Sequence, residues 1–99
     1  MSAESSDSER IFIKGLKQEF MEKVSEYLID LERLDKENNL MEVAKIAHDI
    51  KGMSGIFGFD EGTKIASELN IAAKNKEIKK SKEFIDKLTT YMKKQNIVT

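Results

Sequence analysis

The chain's single histidine, His48, lies in a segment informative by residue type and spacing. Lys51 follows one turn later, with Gly52 and Gly55 just beyond it and Gly58 after those. The residues Val43, Ile46, Ala47, Ile50, Met53, Ser54 and Phe57, apolar but for the small Ser54, recur at helical spacing and define one stripe. At about 100° per residue, His48 falls about 160° from Ile50, on the side away from that stripe. Its neighbours there, Ala44, Gly52 and Gly55, are all small. Met41 also points outward, Lys45 and Lys51 lie on the two flanks, and Ile56 sits at about −120°. Glycine inside a helix costs about 1 kcal/mol relative to alanine, and the turn itself is served by Gly58. The two inner glycines share the side of the histidine, not the stripe, so packing within the protein accounts for them poorly. They leave the imidazole clear of its own helix, open to close approach by another backbone or a bulky reagent.

The available chemistry narrows quickly. There is no cysteine, which removes disulfides, thiolate catalysis and cysteine metal sites, and one histidine cannot build a multi-histidine metal cage. A hydrolase needs a nucleophile, a base and an orienting acid. The one hydroxyl close to His48 along the helix, Ser54, points into the stripe. Acid–base catalysis by His48 alone would need a pocket, which a convex helix face is not. What remains is nucleophilic: an imidazole nitrogen can take up a phosphoryl group and pass it on, provided a partner supplies the rest of the site. The Lys51 ammonium, one turn along, favours a phosphoryl dianion beside the ring.

The elements that position these residues read as helices throughout. The chain has 99 residues, with no proline, five glycines and 35% charged residues. That is one domain, expected to be all-α, and too short for a kinase core or a Rossmann unit with a substrate domain. Residues 1–8 read as a disordered polar tail, with Asp7 or Ser8 as a cap, and residues 9–97 as the single domain. A first helix over about 9–36 carries Ile13, Leu16, Phe20, Val24, Tyr27, Leu28, Leu31 and Leu34 in one stripe. Asn39 with Glu42 forms a capping box for the second helix, which runs to about Phe57 before a C′ glycine at Gly58. Asp60 is placed as the next N-cap, opening a third helix to about Asn75. A fourth, over about 78–95, carries Ile78, Ile85, Leu88 and Met92. Four amphipathic helices with short connections predict an antiparallel up-down four-helix bundle.

Charge and hydropathy exclude further classes. Seventeen basic residues against eighteen acidic ones give a net charge of −1, and the basic run from Lys74 to Lys82 reads as a solvated face, so nucleic acid is not an expected partner. No apolar run approaches the roughly 20 residues of a membrane span, and the acidic N-terminus does not resemble a secretory signal. A cytoplasmic, monomeric protein without membrane attachment is the expectation.

The segment Ala47-His48-Asp49-Ile50-Lys51-Gly52-Met53-Ser54-Gly55-Ile56-Phe57-Gly58 resembles the histidine phosphotransfer (HPt) motif, A-H-x-[LI]-K-G-x-[SA]-x-x-x-G, and meets every fixed position. The resemblance extends over residues from about 11 to 95 and implies the HPt type of four-helix bundle. It implies that His48 is the phosphorylated residue, reacting through Nε2. It further implies that Lys51 stabilises the phosphoryl group and that Gly52 gives access to a receiver domain. The partners it implies are receiver domains of response regulators or of hybrid histidine kinases, which carry their own Mg²⁺. No metal or cofactor is then expected on this chain, which acts as a phosphorelay intermediate and not as an enzyme by itself.

Relatives of this type often carry Gln or Glu on the next helix, hydrogen-bonded to the histidine Nδ1; the matching position here is Asn70. His48 lies ten residues before Gly58 and Asn70 ten after Asp60. Both are therefore about 15 Å from the corner, level across the hairpin. An amide can orient the ring but cannot act as the carboxylate that raises its basicity, which favours a carrier fed by a receiver over a domain phosphorylated directly by a kinase. The expected docking face comprises Phe12 from the first helix with Met41, Ala44, Lys45, Gly52, Gly55 and Ile56 from the second. Two alternatives stand beside the phosphocarrier: an adaptor or inhibitor bundle that binds a receiver or kinase domain without phosphorylation, and a detached N-terminal HPt domain of a chemotaxis-type kinase.

Overall fold

The computed structural model describes the backbone of residues 2–98 and the side chains of residues 15–98. Four helices follow one another: α1 (Ser2–Lys36), α2 (Leu40–Ile56), α3 (Asp60–Lys74) and α4 (Ile78–Lys94). The three connections are too short for anything but antiparallel neighbours. α2 packs on α1 and α3, and α4 packs on α3 and α1, which closes the bundle.

Each helix ends in the same way. Asn38, Gly58, Lys76 and Asn96 take positive φ, between 56° and 77°. At each of them two backbone bonds close the turn, as in Phe59 N–H to Ser54 O (2.9 Å) with Gly58 N–H to Gly55 O (3.3 Å). This is the Schellman arrangement, which satisfies carbonyls the helix would leave orphaned. Gly58 fills its predicted place. Lys76 carries a Cβ in a conformation that costs an L-residue about 1–2 kcal/mol, and glycine returns about 0.4–1 kcal/mol of that through the unfolded chain. Lys76→Gly is therefore expected to stabilise the protein by about 0.5–1 kcal/mol, read as a rise in the midpoint of urea unfolding without a change in slope.

Several expectations about the elements are corrected. α1 begins at Ser2, not near residue 9 after a tail. No glycine or proline interrupts residues 2–14, so nothing in the local sequence stops the helix there. α1 is consequently about twice as long as its neighbours, about 52 Å, and it accounts for the 54 Å long dimension of the molecule. Its first described buried side chain is Phe20, stacked on Phe57 (4.8 Å between ring centres) and Phe59 (5.6 Å) at the α2–α3 corner. Leu16, placed in the stripe by spacing, is 40% exposed because α1 has already outrun the bundle there.

At the start of α3 the N-cap is Phe59, without a side-chain cap bond, and Asp60 is the first helical residue. The Schellman turn ties down the Phe59 backbone and its ring packs on Phe20, so Asp60 contributes through the helix dipole instead. Asn39 does cap α2, accepting from Glu42 N–H at 3.4 Å. The reciprocal half of the box is missing: Glu42 turns to Lys45, and Asn39 N–H donates to Leu34 O. In α4, Ile78 is 53% exposed and Ser81 is wholly buried, because the first residue of the helix lies at the edge of the bundle.

The core consists of Val24, Leu31, Val43, Ile50, Leu69, Ile85, Leu88 and Met92 with their neighbours. Gly62 marks the tightest approach in it. A Cβ there would meet Tyr91 Cε2 at 3.0 Å, and Met92 Cε and Ser54 Oγ at 3.3 Å.

Candidate functional site

His48 is exposed on α2, with Ile50 wholly buried on the opposite side, as the spacing predicts. Along the same outward face Met41 is 77% and Ile56 79% exposed, an unusual amount of free apolar surface for one helix. Gly52 is exposed, and a Cβ added to it would meet no atom within 4 Å. Nothing inside the protein requires glycine there. Gly55 is also exposed, and a Cβ on it would make only an ordinary 3.8 Å contact with Thr63 Oγ1. The smooth patch beside the histidine therefore faces solvent and not a neighbouring helix.

Ala44 is a correction. It is 6% exposed and belongs to the core, not to the open face. Its carbonyl, one turn before His48, accepts a hydrogen bond from Asn70 Nδ2 at 2.8 Å. α3 approaches α2 closely enough at this level to cover Ala44, which widens the buried side of α2 beyond the stripe read from its large residues. Asn70 is accordingly level with the histidine's part of α2, as predicted, but its amide holds the α2 backbone. No hydrogen bond joins it to the imidazole among the described residues. With Nδ2 engaged, its Oδ1 is left as an acceptor.

Asn70 and His48 line one groove of about 970 Å³ between the first half of α2 and the second half of α3. Leu40, Ala44 and Ala73 form its apolar floor. Lys45, Lys74 and Lys76 stand around it, and the α1–α2 and α3–α4 turns close its lower end. Lys51 lies outside this groove, one turn up α2, beside a shallow depression shared with Lys64 and Ser67 of α3. An i, i+3 pair on a helix still has neighbouring side chains, so the Lys51 ammonium can reach the space over the ring. Lys45 pairs with Glu42 at 3.2 Å, an exposed contact of small energetic weight. Phe12, proposed for the docking face, has its side chain outside the described residues.

One contact next to the histidine has no counterpart in the sequence pattern. Tyr27 of α1 donates its hydroxyl to Asp49 Oδ2 at 2.8 Å, and Lys23 sits over the same ring at 4.9 Å. This bond ties α2 to α1 on the side opposite α3. Burial, then the hydrogen bond and charge of Asp49, push the Tyr27 hydroxyl up to about 12. A group that holds its proton more tightly when folded contributes fully below its ordinary value of 10.0 and loses that contribution as pH rises toward about 12. Tyr27→Phe should therefore cost about 0.5–1.5 kcal/mol near neutral pH. Its unfolding curve should converge on that of the wild type in strong alkali. No spacing rule would have paired Tyr27 with Asp49, since periodicity places Tyr27 only in the stripe of its own helix.

A solvent-facing imidazole on a convex helix, beside two glycines that packing does not require, is the arrangement the motif implies. The family model described as the Hpt domain matches residues 15–95. The chain belongs to the Hpt-domain family. The match takes in α2, α3 and α4 whole and α1 from residue 15 onward, and membership places the protein in phosphorelay signalling through receiver or kinase partners. Neither the curated proteins nor the solved structures gave a match. Among the described residues of this Hpt domain, no helix is long and apolar enough to cross a membrane, and no group of acidic or histidine side chains could hold a metal ion.

Proposed function

We propose that this Hpt domain is a phosphocarrier that takes a phosphoryl group from a receiver-domain aspartate onto His48 and hands it to a second receiver. The observation that carries this is the open face of α2: an exposed imidazole next to a glycine whose missing side chain leaves space for an incoming surface. The neutral ring attacks phosphorus through Nε2, in line with the aspartyl oxygen. The N–P bond forms as the P–O bond breaks, the aspartate leaves as a carboxylate, and Nδ1 keeps its proton. Asn70, anchored on the Ala44 carbonyl one turn before His48, holds the backbone that carries the ring and keeps a free Oδ1, through which a small turn of the imidazole in the docked complex would orient Nδ1–H and leave the Nε2 lone pair free. Lys51 balances the charge of the transferred dianion. Catalytic electrostatics come largely from the receiver, whose own Mg²⁺ neutralises the phosphoryl oxygens; this chain positions the nucleophile.

Met41, Gly52, Gly55 and Ile56 belong to the docking face, with Lys45 at its rim. We place the protein in the cytoplasm as a monomer, meeting receivers of response regulators or hybrid kinases there. The direct test is incubation with receiver domains phosphorylated by a small donor. The expected product is an acid-labile, base-stable adduct that mass spectrometry assigns to His48. An adduct on any other residue, or none with every receiver tried, overturns the proposal.

A further inference from the structure

The groove below His48 carries charge that the transfer step does not use. Of the lysines around it, Lys74 and Lys76 have no carboxylate partner among the described residues, whereas Lys80 and Lys82 of the same basic run pair with Glu77 and Asp35. The one carboxylate lining the groove, Asp49, is already engaged by Tyr27. Lys76 is held at the α3–α4 corner by two backbone bonds through its own and the following N–H, so its charge projects from a fixed point. The floor between these cations is apolar, and Met41 and Ile78 leave large exposed hydrophobic surfaces at its edges. An apolar trough with unpaired ammonium groups on one side complements an apolar projection flanked by carboxylates.

We infer that the docking surface continues past His48 to the α3–α4 corner, where Lys74 and Lys76 select receivers whose contact face presents an apolar side chain ringed by acidic residues. This rests on the phosphocarrier reading above. It assigns recognition to residues distant from the chemistry, on a turn that the transfer itself does not require. Charge at a rim acts mainly on encounter and affinity, while the rate within the docked complex is set at His48.

The test uses the full chain and a panel of receiver domains from the source genome, each loaded with acetyl phosphate. Transfer to His48 is followed against receiver concentration for wild type, K74E/K76E and K93E/K94E. The last pair makes the same change in net charge at the far end of α4. With the preferred receiver, K74E/K76E should raise KM about tenfold at about 0.1 M salt. The effect should shrink at about 0.5 M, with the maximal rate held within about twofold. K93E/K94E should shift KM by much less. An unchanged KM in K74E/K76E, or equal shifts in the two pairs, overturns the inference and leaves the phosphocarrier reading standing. Failure of every receiver to phosphorylate the wild type overturns both.

Discussion

His48→Gln is expected to lower phosphoryl acceptance from a phosphorylated receiver by about 10³-fold or more, to the level of a blank. Glutamine keeps a polar side chain of comparable reach but has no nucleophilic ring nitrogen. The exposed position means that no core contact is lost, so circular dichroism and the unfolding midpoint should match the wild type. The two measurements together separate loss of the nucleophile from loss of the fold. Residual acceptance near wild-type level would place the acceptor elsewhere and end the assignment of His48. Full binding of the receiver by the variant, measured by titration, is expected alongside the lost chemistry, because the docking face is untouched.

The second large effect is steric. Gly52→Arg should reduce transfer from a receiver about a hundredfold, equivalent to ~2.7 kcal/mol of lost association. It should at the same time raise stability by about 0.5–1 kcal/mol. The opposite signs follow from one observation. A Cβ at this position meets nothing within 4 Å inside the protein, so a side chain leaves the helix into open space and gains helix propensity. The same side chain projects into the space a partner must enter. Gly62 provides the contrast: its Cβ would press on Tyr91, Met92 and Ser54, so its glycine serves the fold. Transfer to the Gly52→Arg variant at the wild-type rate would show that the glycine is not kept open for a partner. A loss of stability would point to an internal role that the geometry does not contain.

The separation of these two glycines shows where sequence patterns suffice. Gly58 and Gly52 are both legible without coordinates, one as a helix stop, the other as an unexplained glycine on the histidine's side. Gly62 carries no such mark, because its reason is the Tyr91 ring of α4, which the topology and not the local pattern brings there.

The order of the helices, their ends within a few residues (the start of α1 apart), the outward aim of His48 and the identity of the family motif are all set by local sequence. They depend on periodicity, helix-stop chemistry and fixed spacing along one helix, which are near-neighbour properties of the chain. The width of the buried face of α2 is another matter. Periodicity gives the centre of that face, while the approach of α3 decided that Ala44 is inside and that Asn70 spends its amide on the Ala44 carbonyl. The Tyr27–Asp49 clasp and the groove with its unpaired lysines likewise join residues from different helices. Such pairings depend on the distance and rotation between packed helices, and those are fixed only when all four bury their apolar faces together.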